Sequence, residues 1–240
     1  MNWFKRFFSR APSLPPVQLN EQQAARLATW QALPPVELTR SHLDTRYVVV
    51  DVEASGLNMA DDSLISIGAV AVINGTIAAD DAFEIILRQD EISDHANILI
   101  HGIGGSAQQD GVDPPEALLA FLEYLGKAPL VAYHARFDQS MIGRAMREFL
   151  GFEFDLPWLD LAWIMPELFR EQMDAQVGLD DWMALFGIGN IQRHNAVSDA
   201  YATAMLLQVA MQRSAQRSAD TPDELMKIEK LRRWLLRSSG

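Results

Sequence analysis

The spacing of apolar and polar positions changes repeatedly along the chain, and each change predicts an element. Residues 1–19 show little periodicity after an aromatic tip and carry prolines, which reads as an arm or linker. From Asn20 the spacing predicts a helix: Asn20 caps it, Gln23 stands at the capping-box position, and Pro34-Pro35 ends it. A connecting segment runs to about Arg46. Residues 47–53, YVVVDVE, form a continuous β-branched run ending in acids, the mark of a buried strand. Two more strand-like runs, 63–73 and 76–87, meet at Asn74-Gly75, a type I′ hairpin signal, and complete an antiparallel meander. Pro114-Pro115 opens a helix to about Lys127, with Leu118, Leu119, Leu122 and Leu125 at helical spacing. Beyond it the pattern predicts a short strand at 130–134, a helix from Phe137 to Leu150, and a short strand at 156–162. A short helix follows from Leu179 to Phe186, then a long one from Ala196 to about Arg213, and a basic amphipathic helix over 222–237. The order predicts an α/β fold, in which a three-strand antiparallel meander plus parallel strands forms a mixed sheet flanked by helices.

Composition bounds the chemistry. The 240 residues suit one main domain, read as 47–213, after the arm at 1–19 and a helical extension at 20–46, with a basic C-terminal helix at 214–240. There is no cysteine, which excludes a disulfide framework, a Cys-ligated zinc site, an iron–sulfur cluster and a thiol nucleophile. That fits a reducing compartment, and the expectation is a cytoplasmic protein. No apolar run approaches the length of a membrane span, and MNWFKRFFSRA lacks the apolar core and cleavage site of a secretory signal. The net charge of −12 argues against a protein that coats nucleic acid through a basic surface. Residues 1–10 carry three cations and no anion, and residues 227–240 five cations and one anion, so the acidity sits in the middle. An acidic body is either a solvated surface or a set of carboxylates gathered for metal ions.

Three acidic elements decide between these. Asp51 and Glu53 alternate along a strand, so both point to one side. Two like charges held together are costly without a cation between them, and hard divalent cations prefer oxygen ligands. Asp138 opens a helix just after the strand VAYH; a first-turn acid favoured by the helix dipole is the plain reading when it is taken alone. His194 and Asp199 stand five apart across a loop-to-helix turn, where each is equally readable as a cap or helix-face residue.

Together, in this order, the three elements resemble the exonuclease motifs of the DnaQ-like, DEDDh family of 3′–5′ exonucleases, the family of the proofreading epsilon subunit of bacterial DNA polymerase III. The first motif is Asp51-Val52-Glu53-Ala54-Ser55-Gly56-Leu57, the second ends in Phe137-Asp138, and the third runs from His194 to Asp199. Ile100-His101-Gly102-Ile103 looks like the family's His-Gly-Ile segment, and Gly178-Leu179-Asp180-Asp181-Trp182 like the short helix before the third motif. The resemblance covers about residues 46–213. Two positions depart from the pattern: Ala54 stands where threonine is usual, and His134 where asparagine is usual.

The resemblance implies an RNase H-like fold and two divalent metal ions, Mg²⁺ with Mn²⁺ able to substitute, held by Asp51, Glu53, Asp138 and Asp199. By the family pattern Asp51 bridges the ions, Glu53 and Asp199 hold the one that carries the attacking water, Asp138 completes the cage, and His194 takes the proton. Ser55, Gly56, Leu57, His101 and Phe137 fall at substrate-contacting positions. Arg136, Arg144 and Arg193 lie near the motifs, either to hold the strand or as solvated helix-face residues. The implied substrate is the 3′ end of single-stranded or frayed DNA, hydrolysed to nucleoside 5′-monophosphates in proofreading or repair. RNA or oligonucleotide trimming by the same fold, and a non-catalytic interaction module, are the alternatives. The terminal helices are candidates to dock a DNA polymerase or another protein.

Overall fold

The computed structural model describes residues 17–189 and 194–238. A five-stranded sheet forms its centre: β1 (Tyr47–Ala54), β2 (Leu64–Ile73), β3 (Thr76–Ile86), β4 (Leu130–Ala132) and β5 (Trp158–Asp160), in the order β3-β2-β1-β4-β5. The β1–β2 and β2–β3 pairs are antiparallel, and β4 pairs parallel with both β1 and β5. This is the mixed, RNase H-like sheet expected from the sequence. Asn74 and Gly75 both adopt left-handed backbone at the β2–β3 turn, as a type I′ hairpin requires. The outer strand β3 is partly exposed along its length, and its pairing with β2 jumps from Ala82 to Ala78 between Val70 and Ala71.

Period-2 alternation in β1 divides the core. Val48, Val50 and Val52 face one layer, with α1 (Glu21–Gln31), α4 (Pro114–Leu125) and α5 (Arg136–Ala145). Tyr47 and Val49 face the other, with α6 (Leu161–Leu168), α7 (Leu179–Phe186), α8 (Ala196–Ala215) and Leu225 of α9 (Pro222–Ser238). Two short helices, α2 (His95–His101) and α3 (Gly105–Gln109), lie between β3 and α4. Both flanking helices pack on this body. Trp30 of α1 is buried and donates Nε1–H to the Gly126 carbonyl at 2.6 Å, while Arg26 pairs with Glu116 and Glu123.

Several expected boundaries shift. The strand expected at 130–134 ends at Ala132, because His134 takes left-handed backbone (φ 63°). The helix expected to Leu150 runs regularly to Ala145 and then widens into a π turn, Met146–Leu150, closed by Gly151. The strand expected at 156–162 is three residues long, because Asp160 caps a helix there: its carboxylate accepts the Ala162 N–H at 3.1 Å. That helix, α6, escapes periodicity because it is apolar nearly all round and contains Pro166. No helix among the described residues is long and apolar enough to cross a membrane.

Candidate active site

The end of β1 carries the first acids. Asp51 pairs with Gly68 and Glu53 with Ser66, and both side chains emerge on the α8 side. An irregularity between Glu53 and Ala54 then turns the chain into a loop. Asp62 organises that loop: its carboxylate accepts the Ser55 hydroxyl at 3.0 Å and the Asn58 N–H at 2.7 Å. The Ser55 hydroxyl oxygen accepts the Ser63 N–H in turn at 2.9 Å, and the Asn97 side chain of α2 donates to the Ser55 carbonyl. A Cβ on Gly56 would stand 2.4 Å from an Asp62 carboxylate oxygen, so a larger residue there would push Asp62 out of these bonds. Leu57 is left at the tip, 87% exposed.

Gly68 sets the opposite wall. A Cβ there would fall 2.3 Å from both Ala196 C and Val197 N, so the first turn of α8 rests directly on β2 beside Asp51. Asn195 caps α8 by accepting the Ser198 N–H at 3.0 Å. Asp199, nearly buried in the first turn, accepts the His194 backbone N–H at 3.0 Å. His194 has left-handed backbone (φ 59°) and an exposed side chain.

Asp138, in the first turn of α5, lies beneath. It is 3% exposed, and it lies close enough to Glu53 of the first motif for their charges to interact. Burial pushes this carboxyl well above the usual carboxylate range, reinforced by the negative charges of Asp160 and Glu53. Asp51, Glu53, Tyr133, His134, His194 and Asp199 line one cleft of about 350 Å³, together with Gly178 and Leu179. Tyr133 brings those last two in: its hydroxyl donates to the Val177 carbonyl at 2.5 Å, just before α7.

Among the described residues, no group of three or more His, Asp or Glu side chains is drawn together closely enough to hold a metal ion as the side chains stand. The donors fit hard divalent ions by their chemistry: carboxylate oxygens from β1, α5 and α8 face or underlie one open cleft, with imidazoles at its rim.

The other expected residues divide. Ser55, Gly56 and Leu57 form the loop beside the cleft, and Phe137 packs partly buried against the α4–α5 core. His101 is 4% exposed and turned inward. Its Nδ1 accepts the Ile103 N–H at 3.0 Å, its Nε2 faces the Ser93 hydroxyl, and burial lowers its pKa. The ring closes the turn after α2 and is absent from the cleft wall. Arg136 is exposed, and Arg144 donates to the Ala60 carbonyl at 2.6 Å. Arg193 lies outside the described residues. Sequence reasoning missed Asp62, Gly68, Tyr133 and Asp160. Asp62 and Asp160 carried a faint signal as acids inside turn or strand-end segments, and Gly68 as a glycine within an apolar strand.

Residues 48–207 match the family model RNase_T, an exonuclease family. A PolC-type DNA polymerase III of Caldanaerobacter subterraneus is 34% identical over 167 residues, 69% of this chain and 12% of the polymerase. Its counterpart in Bacillus subtilis is 31% identical over 180 residues, 75% of this chain. This chain spans 12% of the length of either relative. Escherichia coli exonuclease I, solved in complex with a dA16 oligonucleotide, superposes with a TM-score of 0.61 at 17% identity, covering 72% of this chain and 42% of that one. A zinc-bound form of that enzyme with single-stranded DNA matches with a TM-score of 0.60 at 17% identity, over 71% of this chain and 41% of the other. The likeness to both is one of fold.

Proposed function

The chain belongs to the RNase_T exonuclease family, and on that premise we propose that it is a metal-dependent 3′–5′ exonuclease acting on single-stranded or frayed DNA ends. The observation that carries this reading is the convergence of Asp51, Glu53, His194 and Asp199 on one cleft, with Asp138 buried within reach of the Glu53 charge.

Asp51, Glu53, Asp138 and Asp199 would hold two divalent ions, Mg²⁺ or Mn²⁺. When bound, such ions make water a nucleophile near neutral pH and stabilise charge on the attacking and leaving oxygens. His194 accepts a proton from the attacking water through its exposed imidazole, while its backbone N–H, donated to Asp199, fixes where the ring starts. The water oxygen bonds to phosphorus, the bond from phosphorus to the 3′ oxygen of the preceding nucleotide breaks, and a nucleoside 5′-monophosphate leaves. The leaving 3′ oxygen takes up a proton from solvent while His194 gives its own back, so the shortened strand ends in a 3′ hydroxyl for the next round. Leu57, exposed at the loop tip, gives an apolar surface for the terminal base. His134 stands on the cleft wall, where it meets the strand. Residues 47–213 are the chemical unit. The similarity to PolC-type polymerases favours proofreading or repair beside a cytoplasmic polymerase.

The test is a panel of 5′-labelled single-stranded DNA, mismatched duplex and RNA, with and without EDTA. Stepwise shortening from the 3′ end of the DNA substrates, lost in EDTA and in Asp51→Asn, is expected. Digestion from the 5′ end, or full activity in EDTA, refutes the reading.

A further inference from the structure

The last helix, α9, lies beyond the segment that matches the exonuclease family, yet it reaches the cleft through one buried carboxylate. Asp160 ends β5 with its side chain 4% exposed. Its Oδ1 accepts the backbone N–H of His134 at 3.0 Å, and its Oδ2 accepts Arg233 Nη2 of α9 at 2.8 Å. Asp160 also donates its own N–H to Glu229 Oε2 at 3.0 Å, and Glu229 Oε1 accepts Arg233 Nε at 2.8 Å. Glu229 and Arg233 stand one helical turn apart, so they grip the end of β5 from a single face of α9. Arg233 is further fixed over the Trp163 ring, 4.5 Å from its centroid. Burial raises the Asp160 carboxyl while Arg233 opposes the shift, so the guanidinium helps keep Asp160 ionised.

The bond from Asp160 ends on a backbone that needs support. His134 is a non-glycine residue at φ 63°, and such conformations persist where surrounding structure fixes them. Its imidazole forms part of the cleft wall. We propose that α9 is a positioning element of the active site: Arg233 and Glu229, acting through Asp160, hold His134 in its left-handed conformation and so present its imidazole to the bound strand. This rests on the exonuclease reading for its kinetic consequences alone.

Removing a side chain that orients a first contact typically costs about 10–100-fold. In Arg233→Met, KM for a short single strand should rise by about that factor with kcat nearly retained, because a strand contact is lost while the acids stay in place. Arg233→Lys, which restores one donor to Asp160, should recover much of the loss. In a His134→Ala background Arg233→Met should add nothing, since its effect runs through that imidazole. The His134 amide, protected from hydrogen exchange in the wild type, should exchange faster in Arg233→Met. Trp234→Ala removes an exposed side chain of α9 outside this network and should leave KM unchanged. Should Arg233→Met fail to fold, Asp160→Ala/Arg233→Met removes the buried charge together with its partner and takes its place in the cycle.

The proposal is overturned if kcat falls while KM stays, if the loss persists in the His134→Ala background, or if His134 exchange is unaltered. Exchange is measured without substrate. A wild type that releases no nucleotide but protects His134 through Arg233 would therefore refute the exonuclease reading and leave the positioning intact.

Discussion

Gly68→Ala tests whether the approach of α8 to β2 builds the cleft. The new Cβ would stand 2.3 Å from Ala196 C and Val197 N and 2.7 Å from Ala196 Cβ. The two nearest of these atoms are backbone, so no flexible side chain can move aside. Relief requires the start of α8 to retreat by about 1 Å, and a shift of that size at reacting groups costs about 10²-fold. The retreat carries Asp199 and the His194 amide bonded to it away from Asp51, which pairs with Gly68 across the sheet. Overpacking of this kind costs about 1–3 kcal/mol, which for a chain of this size lowers the melting temperature by about 2–12 °C. The assay is initial nucleotide release from a 5′-labelled single strand at several Mg²⁺ concentrations, well below the melting point, beside a thermal melt. Gly143→Ala is the control: its Cβ would meet only Arg147 Nη1, at 4.0 Å, and activity should hold. If Gly68→Ala keeps turnover within twofold of the wild type, the close approach does not position Asp199 and the reasoning fails.

His194→Ala should lose about 10²–10⁴-fold in turnover while the fold is retained, read by single-turnover release and circular dichroism. Leu57→Ser should raise KM for single strands with no change in melting temperature, because the side chain is exposed; an unchanged KM removes Leu57 from the substrate surface. His42 is buried, its Nδ1 2.6 Å from the Tyr47 hydroxyl, and burial lowers its pKa. The folded chain therefore binds fewer protons than the unfolded one, and stability should fall as pH drops below about 6.5. Melts from pH 7.5 to 5 should show a shallower decline for His42→Gln than for the wild type.

Much of this site was legible in sequence because its chemistry sits on regular elements. A β-branched run ending in Asp51 and Glu53 can only present both acids on one side, and the layer assignment of Tyr47 and Val49 against Val48 and Val50 follows the same alternation. Asn20 announced the helix it caps. What stayed hidden depends on contacts between distant segments. Asp160 reads as the end of an apolar run, and its partners lie 26 and 73 residues away. Gly68 looks like a weak point in a strand until α8 is seen resting on it. His101 falls at a substrate-contacting position only by the family resemblance, and nothing in the local pattern announces that its ring bonds the Ile103 N–H and closes a turn. The α6 helix was hidden by uniform apolarity, which erases the period that identifies a helix.

The jump in pairing along β3 bears on how copies of this chain meet one another. A sheet edge with free N–H and C=O groups is a template for a second chain, and soluble proteins blunt such edges with charge and irregularity. The β5 edge is occupied, since its terminal N–H already donates to Glu229. The β3 edge is interrupted where residues 79–81 fall out of register, and that interruption carries Asp80 and Asp81, with Glu84 just beyond. A second copy aligning there would set acid against acid across a broken ladder. Five strands are therefore where the sheet stops, and the irregularity that looks like a flaw in the meander works against open-ended stacking.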